Sequence, residues 1–168
     1  MAPAHQYVAC NILVCHIYPV SDANFSVDRA VCFSLYSATN TMLATYRALL
    51  APFGLTYQQY LVIQLLSEEK AMTVGALADR LVLEASAASG LVRRLVEAGI
   101  LTKDRGAHDQ RVVTVVLTER GLQLESELTS VAPCFAASTG LSIDAADLLI
   151  EELTTLRGSL EDARLIHD

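Results

Sequence analysis

Between residues 73 and 117 the sequence sets two short helical patterns, a tight turn and two β-branched runs directly one after another, and few architectures accept that order. Thr73 opens the first pattern as an N-cap ahead of an amphipathic stretch over 74–81. After a turn at 82–85, Ser86 is placed to cap a second helix that runs to Ala98, where Gly99 stops it. A strand over 100–105, a polar tip at 106–110 and a valine-rich strand over 111–117 then read as a hairpin. Helix, turn, helix and hairpin make a winged helix-turn-helix, whose second helix enters the major groove of duplex DNA.

Longer helices flank this module. Apolar residues recur at helical spacing over 26–51 until Pro52 and Gly54 stop the run. Thr56 and Gln59 then form a T-x-x-Q capping box for a helix reaching Glu69. Beyond the hairpin, Thr118 caps a long helix carrying Leu122, Leu124 and Leu128, with a weak break expected near Pro133 and Gly140. Ser142 caps a last helix carrying Leu148, Leu149, Leu153, Leu156 and Leu160. The flanks hold more leucine than one small domain needs to bury, which reads as ordinary core or, preferably, as a helical dimer interface. The expected fold is mainly α with a small β-hairpin wing. Residues 26–168 form one domain, in which 26–70 and 119–168 are homodimerisation helices and 73–118 the winged module. Residues 1–25 show no clean periodicity and read as an irregular extension.

The net charge of −7 argues against nucleic acid only while the chain is taken whole. Residues 73–118 carry 6 Lys and Arg against 5 Asp and Glu, whereas 119–168 carry 3 against 10. Only charges near phosphate matter at a screening length of about 8–10 Å, so a basic face and an acidic distal half are compatible. Neither a signal peptide nor a membrane span is expected, since the uncharged start carries Pro, His, Gln and Asn and is preceded by no basic residue. A cytoplasmic protein is the default. Cys10, Cys15, Cys32 and Cys134 match no zinc or C-x-x-C template, and irregular spacing argues against a metal cluster of Cys10 and Cys15 with His5 and His16. No cofactor is implied. No nucleophile triad, carboxylate pair or phosphate loop points to an enzyme.

On the reading helix the first residues, Ser86, Ala87 and Ser89, are small and permit close approach to base edges. Arg93 and Arg94, one turn on, suit guanine or phosphate, or else form a solvated face. At the hairpin tip Asp109 precedes Arg111 by two residues, so the carboxylate can orient a guanidinium for the narrow minor groove. Lys103 and Arg105 on the adjoining strand are assigned to phosphates.

The stretch from Leu55 to Gly121, with "LVRRLVEAGILTKDR", "DQR" and "VVLTERG", resembles the MarR family of winged-helix regulators over roughly residues 28–165. That resemblance implies a homodimer on a pseudo-palindromic double-stranded operator, acting as a repressor. The segment "CFSLYSATNTMLATYRALLAPFGLTYQQYL" further resembles the branch of that family that senses organic hydroperoxides through a cysteine in the first helix. At 100° per residue Tyr36 lies about 40° round the helix from Cys32 and Tyr46 about −40°, while Tyr57 opens the next helix. Phenol donors favour a thiolate over a thiol, and the thiolate is the nucleophile toward a peroxide, giving a sulfenic acid. On the residues alone, Cys32 reads rather as a small core residue among core tyrosines. The resemblance implies that Cys32 senses, with Tyr36, Tyr46 and Tyr57 around it. It further implies Cys134 as a resolving thiol of the partner subunit, against the alternative of an inert one. The branch's acidic residue followed by Ser-Gly-Thr is replaced here by Glu84, Ala85, Ser86 and Ala87. Two other readings keep the module or the thiol alone: a regulator released by an aromatic acid, and a thiol peroxidase.

Overall fold

The computed structural model describes residues 26–105 and 113–165. The N-terminal extension with Cys10 and Cys15, and the wing tip with Asp109 and Arg111, lie outside the described residues. The chain divides into two compact units, Met1–Ala44 and Thr45–Asp168.

In the first unit a 3-10 turn, Val27–Arg29, leads into α1, Val31–Leu50, which ends in the second unit. Helix therefore starts five residues after the point its periodicity suggested. Ala30 closes the preceding turn by donating to the carbonyl of Val27 at 3.0 Å.

In the second unit α1 stops at a 3-10 turn, Ala51–Phe53, and Gly54 takes the left-handed conformation, φ 66°. The capping box forms as the sequence indicates. Thr56 N–H donates to Gln59 Oε1 at 2.9 Å and Gln59 N–H donates back to Thr56 Oγ1 at 3.3 Å, opening α2, Tyr57–Glu69. A three-residue strand, β1 (Ala71–Thr73), precedes α3 (Val74–Leu81), whose cap is Thr73, accepting from Ala76 N–H at 3.0 Å. Helix α4 spans Ala85–Glu97. Strands β2 (Leu101–Arg105) and β3 (Val113–Leu117) complete an antiparallel sheet in the order β1-β3-β2. Register is set by Leu101 opposite Leu117 and by Met72 opposite Val115.

The core of this unit is the shared apolar face of α2, α3, α4 and the sheet. Leu91, Val92 and Leu95 recur at helical spacing and are almost wholly covered, with Ile63, Leu66, Leu77, Leu101 and Val115. Thr118 joins sheet to helix. Its hydroxyl donates toward the carbonyls of Gly99 (2.7 Å) and Ile100 (3.1 Å) and accepts from Gly121 N–H (3.0 Å), capping α5, Glu119–Glu127. The long helix expected here breaks at a 3-10 turn, Leu128–Ser130, with α6 following as Val131–Thr139. Pro133 lies in the first turn of α6, where its missing N–H leaves no orphaned bond, so the break falls ahead of it. Gly140, φ 67°, turns the chain, and Ser142 Oγ accepts from Ala145 N–H at 3.3 Å to cap α7, Ile143–Leu165.

Two further expectations are corrected. Helix α4 begins at Ala85, and its N-cap is Glu84 with no side-chain hydrogen bond, so Ser86 sits inside the first turn rather than capping it. The sheet has a third strand, because Ala71–Thr73 pairs with β3.

Candidate functional site

Helix α4 buries Ala88, Leu91, Val92 and Leu95 and turns the opposite face outward. That face carries the residues assigned to base and phosphate contact: Ser86, Ala87, Ser89, Arg93 and Arg94 are all exposed. The first two turns hold Ala, Ser and Gly alone, so the backbone can approach another surface closely. Arg93 Nε lies 4.0 Å from Glu97 Oε1, an exposed i,i+4 pair worth well under about 1 kcal/mol. Arg94 lies beside Gly90, with Nη1 3.6 Å from the point a Cβ on Gly90 would occupy.

The helix is presented by an unusual turn. Val82, the C-cap of α3, has φ 53° and ψ 48°, a left-handed conformation that a β-branched residue rarely adopts. On the wing, Lys103 is exposed and lies opposite Val115, on the side of β2 that also carries Leu101. Arg105 ends β2.

Of the residues assigned to the redox site, Cys32 and Tyr36 belong to the first unit. Both are exposed, Tyr36 at 65%. Tyr46 and Tyr57 belong to the second unit, which brings them into a ring cluster: their centroids are 4.3 Å apart. Tyr60 and Phe135 complete it, at 5.9 Å and 4.4 Å from Tyr46, with Phe135 stacked at 21°. Tyr46 is 7% exposed, and burial first, then the neighbouring Tyr57 and Tyr60, push its phenol up to about 12. Burial also raises Tyr57 and Tyr60 above the usual phenol value. All three hydroxyls hold their protons at neutral pH and act as donors. Cys134 is exposed on α6, next to Phe135 in sequence.

The sequence reading missed Tyr60 and Phe135. Tyr60 was within reach of it, three residues beyond Tyr57 on the same helix, a spacing that places both on neighbouring positions. Phe135 meets Tyr46 from 89 residues away, and no local pattern announces that contact.

The family model of the MarR family matches residues 53–112. The HTH-type transcriptional regulator TtmR of Methylorubrum extorquens is 33% identical over 135 residues, 80% of this chain and 69% of that protein. The organic hydroperoxide resistance transcriptional regulator of Bacillus subtilis is 30% identical over 108 residues, 64% of this chain and 74% of that one. Among solved structures, reduced AbfR bound to DNA matches with a TM-score of 0.64 at 29% identity, covering 77% of this chain and 91% of that one.

Proposed function

The chain belongs to the MarR family and is a DNA-binding transcription regulator, and we propose that it represses as a homodimer until an organic hydroperoxide oxidises Cys32. The observation that carries this reading is the phenol cluster. Tyr46 and Tyr57 keep their protons and stack among aromatic rings, which makes them hydrogen-bond donors in a mostly apolar setting. Such donors favour a thiolate, and apolar walls favour alkyl peroxides over hydrogen peroxide.

Helix arithmetic adds a condition. The fourteen residues from Cys32 to Tyr46 measure about 21 Å along a helix axis at 1.5 Å each. No side chain spans that distance, so the reading pairs the thiol of one chain with the phenols of a second. Tyr36, one turn from Cys32, stays with the thiol. Dimerisation is then a condition of sensing as well as of gripping two half-sites.

Chemically, the Cys32 thiolate attacks one peroxide oxygen. A sulfur–oxygen bond forms, the oxygen–oxygen bond breaks, and the alkoxide leaves and takes up a proton as the alcohol. Sulfur loses two electrons and the peroxide gains them. In this reading Cys134 of the second chain condenses with the sulfenic acid, releasing water and closing an intersubunit disulfide. Inverting a 1:99 population needs about 5.5 kcal/mol, within reach of remaking charge-assisted hydrogen bonds at about 1.5–3 kcal/mol each in two sites per dimer. On the DNA side, Ser86, Ala87 and Ser89 approach the groove, Arg93 and Arg94 supply donors, and Lys103, Arg105 and the Asp109–Arg111 pair address backbone and minor groove.

The test is release from DNA. One equivalent of tert-butyl hydroperoxide per thiol should free the wild-type protein from its operator and leave Cys32→Ser bound. Non-reducing gels of wild type and Cys134→Ser then show whether the disulfide forms. Equal release of wild type and Cys32→Ser removes Cys32 from the mechanism. Release by an aromatic acid without oxidant supports a ligand-responsive regulator instead.

A further inference from the structure

Two adjacent arginines on α4 have different neighbours. Side chains on an α-helix lean toward its N-terminus, and that end of the second helix is the one that enters the groove. Arg94 follows this lean: its guanidinium reaches back four residues to lie over Gly90. Arg93 is paired instead with Glu97, one turn toward the far end of the helix, Nε to Oε1 at 4.0 Å. The pair is therefore divided by its neighbours. One arginine shares the end occupied by Ser86, Ala87 and Ser89, and the other is drawn to a carboxylate a turn beyond.

Gly90 makes the first path possible. An alanine methyl there would stand 3.6 Å from Arg94 Nη1, ordinary van der Waals contact, whereas any longer side chain would fill the space that the guanidinium occupies. What the position requires is therefore a small residue, which glycine satisfies.

We infer that Arg94 is the arginine of this pair that reads a base edge, that Arg93 serves the phosphate backbone, and that Gly90 sets the division. A guanidinium delivered along a low-profile stretch of Ala, Ser and Gly can meet guanine O6 and N7 with two parallel hydrogen bonds. One that shares its charge with Glu97 suits a phosphate, where geometry is less exacting. The inference rests on the DNA-binding reading and extends it to which residue discriminates.

The experiment selects from a pool of duplexes with a randomised 24-base-pair centre, using the full-length reduced protein. The recovered site and its single base-pair variants are then titrated with wild type, Arg94→Ala, Arg93→Ala and Gly90→Leu, with far-UV circular dichroism confirming that each variant is folded. Wild type should recover a G·C pair in each half-site. Arg94→Ala and Gly90→Leu should lose discrimination at that pair by about 5- to 150-fold, the range of one bidentate guanine contact. Arg93→Ala should weaken all sequences alike and flatten the salt dependence by about one ion. Loss of discrimination in Arg93→Ala with none in Arg94→Ala overturns the assignment, as does unchanged discrimination in both Arg94→Ala and Gly90→Leu. A wild-type protein that enriches no sequence sinks the DNA-binding reading itself, a separate outcome.

Discussion

At Gly121 a single hydrogen atom decides whether the sheet and α5 can meet. A Cβ built there would stand 2.3 Å from the backbone oxygen of Ile100 and 3.1 Å from Leu117, and that carbonyl, just ahead of β2 and held by Thr118 N–H at 3.0 Å, cannot swing aside as a flexible side chain would. Gly121 N–H also donates to Thr118 Oγ1, so backing the helix away to make room would break the cap. Gly121→Ala should therefore cost stability by overpacking, roughly 1–3 kcal/mol, seen as a lower urea midpoint. Gly75→Ala is the contrast. Its nearest neighbour would be Thr73 Oγ1 at 3.9 Å, in an exposed turn of α3. There the methyl should add up to about 1 kcal/mol by restricting the unfolded chain. Equal effects at the two positions would mean that the close approach at Gly121 is not what holds the joint together. Thr118 as a cap was legible, because hydroxyl residues ahead of a periodic run carry that signal locally. The reason for glycine three residues later was not. It depends on the carbonyl of Ile100, just ahead of β2, and no pattern within "LTERG" points to it.

The elements that were easiest to read are those whose boundaries are written in local chemistry. The Thr56–Gln59 box and the Thr73 cap sit where hydroxyl, glutamine and apolar period agree. The errors have one physical source, tertiary pairing that overrides local preference. β1 is three residues long and exists because Ala71–Thr73 lies along β3, a contact more than forty residues away in sequence. Helix α4 starts at Ala85 with an uncapped Glu84, where hydroxyl preference pointed to Ser86. The turn between α3 and α4 supplies the reason. It puts Val82 at φ 53° and returns Leu83 N–H to the carbonyl of Ala78 at 2.9 Å, which fixes where the next helix can begin. A left-handed conformation costs an L-residue about 1–2 kcal/mol, and a β-branched one has no compensating local hydrogen bond. Val82 is 64% exposed, so its side chain repays little by burial. Val82→Gly should raise the thermal midpoint of the winged module by several degrees through relief of that strain. An unchanged or lower midpoint would show that the valine does something in this turn beyond marking it. Operator affinity measured beside stability would locate that role.

On the scale of the whole molecule, α7 poses a problem that one chain does not solve. It is 23 residues long, and among its described side chains none is buried. Leu148, Leu149, Ile150, Leu153 and Leu160 are between 39% and 62% exposed. Among the described residues no single helix is long and apolar enough to cross a membrane. In proteins most of a helix's stability comes from covering an apolar face rather than from intrinsic propensity. Leu149, Leu153, Leu156 and Leu160 recur at helical spacing and present such a face. The acidity of the last fifty residues fits the same reading. With 3 basic against 10 acidic residues over 119–168, self-repulsion on the polar face must be outweighed by what the leucines bury. If a second copy of the chain covers the stripe, putting a carboxylate into it should separate the copies. Leu149→Asp with Leu153→Asp is expected to give a monomer by sedimentation at micromolar concentration, with helix content lost from α7. Affinity for a two-half-site duplex should fall far more than affinity for a single half-site, since two linked contacts act together only in a dimer. On the proposed mechanism, peroxide sensing should fail in that variant even with Cys32 intact, because the thiol of one chain would no longer meet the phenols of Tyr46 and Tyr57 on the other. A double variant that remains dimeric and still releases DNA on oxidation would place the interface elsewhere and remove α7 from the mechanism.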